Sequence, residues 1–188
     1  MKIHESTLSG AYVIEPDRIE DERGFFARSW CQKEFAEFGL NPAITQCNIS
    51  YNHRRGTLRG MHFQKPPYGE TKLVRCTTGA VYDVIIDLRP ESASYLRWFG
   101  IELSAENRVM LYIPDGFAHG FLTRTDSAEL FYQMSNDFVP GSGAGVRWND
   151  PAFEIAWPEP PVVISDRDNS YPDFIQVSDR IPQGSTGS

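Results

Sequence analysis

Hydrophobic positions in this chain fall in short runs rich in β-branched and aromatic residues, several of them alternating with polar ones. From Ile44 onward, short runs predict eight β-strands: Ile44–Tyr51, Leu58–Phe63, Lys72–Thr77, Ala80–Leu88, Trp98–Leu103, Val109–Ile113, His119–Arg124 and Leu130–Met134. Turn residues separate them. Thr78-Gly79 reads as a two-residue hairpin loop, because Gly79 takes positive φ at no steric cost, and so Lys72–Leu88 reads as one hairpin. A 3.6-residue period is confined to Ser29–Leu40, where Cys31, Phe35 and Phe38 are apolar, Ser29 is a candidate N-cap and Gly39 a stop. Regular antiparallel strands without intervening helices predict an all-β sandwich or jelly roll. Past Trp148 the prolines at Pro151, Pro158, Pro160, Pro161 and Pro172 predict irregular segments wrapping the sandwich. One domain is expected over residues 1–178, followed by a flexible C-terminal tail at 179–188 that ends Gly-Ser-Thr-Gly-Ser.

Composition agrees with that outline. At 188 residues, 40% of them hydrophobic, the chain is of a size to close around a single core. Its 12 Phe, 8 Tyr and 4 Trp suit pleated, half-buried surfaces. A net charge of −7 supplies no field to gather nucleic acid or anionic lipid, although a few converging cations would still hold a small phosphorylated ligand. No apolar run approaches the roughly 18 residues of a membrane span. Cys31, Cys47 and Cys76 are an odd number without metal-ligand spacing, so a reducing cytoplasm is the expected compartment.

Few residues carry obvious chemistry. His62 stands in Gly56-Thr57-Leu58-Arg59-Gly60-Met61-His62, where strict alternation puts Leu58, Gly60, His62 and Gln64 on one face and Arg59, Met61 and Phe63 on the other. Taken singly, such a histidine is an ordinary hydrogen-bonded strand residue. Lys72 is then a solvated edge charge, Tyr132 a core aromatic with its hydroxyl at the rim, and Asp168 a loop carboxylate. Asp83 and Asp87 differ, because alternation sets them among apolar neighbours, which calls for at least one buried, paired carboxylate. His62 is followed by Phe63 and Gln64 rather than by a second ligand, so no metal is expected. Serine-hydrolase, P-loop and dinucleotide-binding motifs are missing from the sequence.

Several segments in order carry a resemblance: Asp21-Glu22-Arg23-Gly24-Phe25-Phe26, Gln46-Cys47-Asn48, Gly56 to His62, Lys72-Leu73-Val74-Arg75-Cys76, Leu103 to Asn107, Tyr112 to Phe121 and Trp148-Asn149-Asp150-Pro151. From about Ile3 to about Asp168 the chain resembles the dTDP-4-dehydrorhamnose 3,5-epimerase family. That resemblance implies a homodimeric cupin jelly roll with one or two short helices, without metal or other cofactor, acting on a nucleotide diphosphate 4-keto-6-deoxysugar. It implies His62 as general base oriented by Asp168, Tyr132 as acid on the opposite sugar face, and Lys72 as stabiliser of the enolate. The chemistry suits these residue types, since the 4-keto group acidifies C3 and C5 and the reaction needs a near-neutral base, an oxyanion partner and a proton source. Arg23, Gln46, Asn48, Arg59, Lys72 and His119 are the substrate-binding positions it implies.

Three positions depart from the family's usual pattern. Arg28 stands where a Glu is usual, Gly143 where another Glu is usual, and Arg167 where Lys is usual. Arg28 and Arg167 are counted with the substrate shell, where exchanging a carboxylate for a guanidinium reverses charge and hydrogen-bonding sense. An epimerase of C3, C5 or both is therefore expected. The alternatives are a single-site epimerase on another nucleotide sugar, a metal-dependent cupin, or a non-catalytic binder.

Overall fold

The computed structural model describes residues 1–174 and has the expected all-β architecture; the expected domain end at 178 and tail at 179–188 lie outside the described residues. All eight expected strands form, with ends shifted by a residue or two. They are β5 (Gln46–Asn52), β6 (Thr57–Gln64), β7 (Lys72–Thr78), β8 (Ala80–Asp87), β9 (Trp98–Ser104), β10 (Met110–Ile113), β11 (Phe117–Thr123) and β12 (Ala128–Met134). Alternation did not reveal β1 (Lys2–Glu5), β2 (Tyr12–Glu15), β3 (Arg18–Asp21) or β4 (Gly24–Ala27), each four residues long. These strands are short and mostly exposed, so they carry little of the pattern that burial imposes. Two later strands, β13 (Gly143–Gly145) and β14 (Val163–Ile164), are shorter still.

Two six-stranded sheets face each other. The first runs β1-β2-β10-β7-β12-β5 and the second β13-β6-β11-β8-β9, with β14 parallel alongside β6. Between them lies a core of Val74, Cys76, Leu111, Ile113 and Leu130 from the first sheet against Val81, Ile85, Leu103, Phe117 and Phe121 from the second. The outer face of the first sheet packs Ile14, Leu73, Met110 and Tyr112 beneath Phe35 and Leu40. The outer face of the second carries Met61, Val84, Ile86 and Ala118 under Val146, Phe153 and Trp157, so the proline-rich stretch does wrap the sandwich. No helix among the described residues is long and apolar enough to cross a membrane.

Two expectations about local structure are corrected. Lys72–Leu88 is not a hairpin: β7 bonds to β10 and β12 in one sheet, while β8 bonds to β11 and β9 in the other. Both strands have both edges occupied by other partners, and Gly79, at φ 71°, turns the chain across the sandwich instead. The helix, α1 (Gln32–Glu37), begins later than Ser29, with Cys31 at its N-cap and no side-chain cap bond. Phe35 alone of the three apolar residues docks fully, against Trp30 and Tyr112, and this contact rather than capping holds so short a helix. Gly39 stops it as expected, at φ 72°.

Candidate active site

Register assembles the site. On the inward face of the first sheet, Tyr132 lies opposite Val74 on one side and Asn48 on the other, with Lys72 opposite Met134. On the facing sheet His62 lies opposite His119, which in turn lies opposite Ile85. A cavity of about 260 Å³ opens between the sheets, lined by Asn48, Arg59, His62, Lys72, His119 and Tyr132 together with Ser50, Phe121 and Met134.

Arg59 and His62 share this cavity against the expectation from alternation. β11 advances two residues from His119 to Phe121 while β6 advances three from His62 to Arg59, so β6 carries one extra residue. A bulge of this kind reverses the parity of the faces. Met61 keeps the outer face that alternation gives it, while Arg59 is brought inward. The bulge needs glycine: at Gly60, φ is 145° and a Cβ would fall 2.5 Å from the Cα of Gly120.

His62 is held from behind. Its Nε2 lies 2.7 Å from Asp168 Oδ1, and Asp168 Oδ2 accepts the Gly60 N–H at 3.2 Å. Asp168 is no loop carboxylate; it sits in α2 (Asp166–Asn169), where Ser165 at the N-cap accepts its N–H, and its carboxylate is buried. Burial pushes that carboxyl up, but the bonds to His62 and Gly60 and the charge of Arg167 pull harder, holding it below the usual carboxylate range. With Nε2 committed, Nδ1 is the nitrogen left for substrate, and 37% of the imidazole side chain remains exposed.

Lys72 is not a solvated edge charge. It is buried, and its Nζ lies 3.2 Å from Glu70, whose other oxygen accepts from Gln64 Nε2. This arrangement fixes an ammonium at the cavity wall. His119 is likewise fixed, its Nε2 within 2.9 Å of the fully buried Asp83. Asp87 is also buried and is satisfied by Arg89, Ser92 and Ser94, so both carboxylates singled out by their neighbours are paired. Tyr132 stands edge-on to His119, with ring centroids 5.9 Å apart. Burial, reinforced by the negative charge of Asp83, pushes its phenol well above the usual range, which keeps it protonated and able to donate.

The remaining residues of interest are distributed unevenly. Gln46 reaches the cavity only through Met134, donating to its Sδ and accepting from Phe138 N–H, and the cavity-lining Asn48 donates from Nδ2 to the same sulfur. Arg167 stands beside Asp168 outside the cavity lining, its Nε bonded to the Tyr171 hydroxyl. Nothing brings Arg23 or Arg28 into this chain's own cavity. Arg23 is 84% exposed on the β3-β4 hairpin and pairs with Asp21, while Arg28 pairs with Glu34 beside α1. Glu70 escaped sequence reasoning because the turn between β6 and β7 gives no sign that its carboxylate folds back onto Gln64 and Lys72. Ser50 had a signal, lying two positions after Asn48 and hence on the same strand face.

Comparison with known proteins agrees with this geometry. The sequence profile of the family described as dTDP-4-dehydrorhamnose 3,5-epimerase matches residues 5–176. A protein of that name from Shigella flexneri is 39% identical over 178 residues, covering 94% of this chain and 98% of its own length. A Bacillus anthracis crystal structure of that name, with TDP and PPi bound, superposes with a TM-score of 0.88 at 39% identity, covering 92% of this chain and 99% of the other. A 3'-monoepimerase from Streptomyces bikiniensis in complex with dTDP-quinovose has a TM-score of 0.82 at 34% identity, with coverage of 90% and 86%. A jelly roll that sets a carboxylate-backed histidine and a half-buried tyrosine in one cavity, matched in sequence along almost its whole length, places this chain in the dTDP-4-dehydrorhamnose 3,5-epimerase family.

Proposed function

We propose that this chain inverts C3 and C5 of a dTDP-linked 4-keto-6-deoxyhexose by proton abstraction and reprotonation, without a metal. One observation carries the reading: a histidine backed by a carboxylate and a protonated tyrosine project from facing sheets into one cavity that also holds a fixed ammonium. His62 Nδ1 takes the proton from the carbon next to the ketone. Lys72, with His119, stabilises the oxyanion that develops, and Tyr132 returns a proton to the other face. Asp168 stabilises the imidazolium and fixes its tautomer. Asn48 and Arg59 in the cavity wall, with Gln46 behind Met134, meet the sugar and diphosphate, the guanidinium offering forked donors to phosphate oxygens.

The reading includes a homodimer. The hairpin bearing Arg23 pairs with neither sheet and exposes Ile19 and Phe26, at 69% and 73%. A second copy covering that hairpin buries both side chains and carries Arg23 and Arg28 toward the neighbouring cavity, while Arg167 stands beside Gly143, behind Asp168. A reducing cytoplasm suits the three free cysteines. The test is a panel of nucleotide 4-ketosugars in D2O with NMR at C3 and C5. Deuterium with inversion at both carbons of the dTDP substrate is expected. Inversion at one carbon, or preference for another nucleotide, revises the substrate; no exchange with any of them overturns the reading.

A further inference from the structure

Ser50 presents a buried hydroxyl with no assigned task. Its Oγ is shut off from water and makes no full hydrogen bond among the described residues, it lines the same cavity as His62 and Tyr132, and the one hydrogen-bonding neighbour within its influence is the Tyr132 phenol. Register explains the placement: Asn48 lies opposite Tyr132 and Ser50 opposite Leu130, so Ser50 and Tyr132 are diagonal neighbours on one sheet face. An unmade hydrogen bond at a buried hydroxyl weakens the fold, and a cost kept inside a catalytic cavity points to a partner that appears during the reaction.

We propose that Ser50 is a positioning residue for Tyr132, its hydroxyl donating to the Tyr132 oxygen as that oxygen gives up its proton. This rests on the reading of Tyr132 as the acid. In that step the Tyr132 proton moves to the enolate carbon, a C–H bond forms, the enolate electrons restore the ketone, and a phenolate remains until water reprotonates it. The phenolate forms where burial and Asp83 both oppose negative charge, and the nearby groups acting the other way are Arg59 and Ser50. Arg59 is already engaged at Nε by Asn52 Oδ1. The Ser50 hydroxyl is free to turn toward the oxygen when charge develops there.

The experiment compares the wild type with Ser50→Ala and Ser50→Thr on the dTDP 4-ketosugar in D2O. Two products are followed: deuterium at a carbon of unchanged configuration, returned on the His62 side, and deuterium at an inverted carbon, delivered from the Tyr132 side. Ser50→Ala is expected to slow inversion about 10- to 100-fold with little change in KM, the loss of one hydrogen bond to a charged group. Exchange with retention persists, so the ratio of exchange to inversion rises. Ser50→Thr, which keeps the hydroxyl, returns the ratio to near the wild-type value. The thermal midpoint of Ser50→Ala should equal or exceed the wild type's, since an unsatisfied group has been removed. An unchanged ratio, a rise in KM alone (a hydroxyl that binds sugar) or a proportionate loss of both products overturns the proposal. A wild type that neither exchanges nor inverts overturns the reading of the site and the proposal with it.

Discussion

Replacing Asp168 by Asn probes the base more sharply than deleting His62, because it changes one atom of a buried group and leaves its shape. In the native site the two carboxylate oxygens divide their work, Oδ1 to His62 Nε2 at 2.7 Å and Oδ2 to the Gly60 N–H at 3.2 Å. Asn has one oxygen. If that oxygen keeps the Gly60 N–H, the new NH2 faces Nε2 and must donate into it, which moves the imidazole proton to Nδ1 and removes the lone pair that takes the substrate proton. The ion pair with the imidazolium is lost as well. A charge-assisted bond of this kind contributes about 2 kcal/mol, or roughly 30-fold in kcat at 1.4 kcal/mol per decade. The reversed tautomer adds to that, so 30-fold is a floor. The assay is deuterium uptake next to the ketone under saturating substrate, with KM measured alongside. Both exchange and inversion should fall together, since abstraction itself is impaired, with KM little changed. A variant within about threefold of wild-type kcat would refute the assignment of Asp168 as orienting group and of Nδ1 as the basic nitrogen.

Other outcomes follow from the same contacts. Lys72→Met leaves Glu70 buried without its cation and should cost about 3 kcal/mol of stability by denaturant titration, whereas Lys72→Met with Glu70→Gln should recover most of the stability and none of the exchange activity. Gly120→Ala sets a Cβ 2.6 Å from Met61 Sδ and 2.8 Å from the Arg59 carbonyl; a loss of about 2–3 kcal/mol and displacement of Arg59 and His62 should appear as a lower midpoint and lower kcat. Asp87 is held down to about 2 from its usual 3.8; burial opposes this, and Arg89, Ser92 and Ser94 outweigh it. Because its folded value is depressed, its contribution, at most about 2 kcal/mol, is complete above pH 3.8 and lost as pH falls toward 2. Asp87→Asn should therefore lower stability at pH 7 and flatten the acid unfolding curve across that window.

Strand existence was written in the sequence because burial on one face imposes a two-residue period that turn residues then interrupt. From β5 to β12 every expected strand formed, and Gly39 stopped the helix. The likeness in ordered motifs likewise placed His62, Lys72, His119, Tyr132 and Asp168 in one site. Partnership was not written there. Which sheet β7 and β8 join depends on which edges other strands already occupy, and a Gly-centred turn serves a hairpin and a sheet crossing equally well. Arg59 was assigned to the wrong face because a single extra residue, visible only in the pairing with β11, reverses every parity beyond it. Glu70 stands only two residues before Lys72, but it is Gln64 on the other sheet that holds it in place, and no local pattern marks the Ser50 hydroxyl as unpartnered. Local pattern determines where strands form and where turns break them, and only pairing and packing the two sheets determines which way a residue beside a bulge faces and what each inward residue meets.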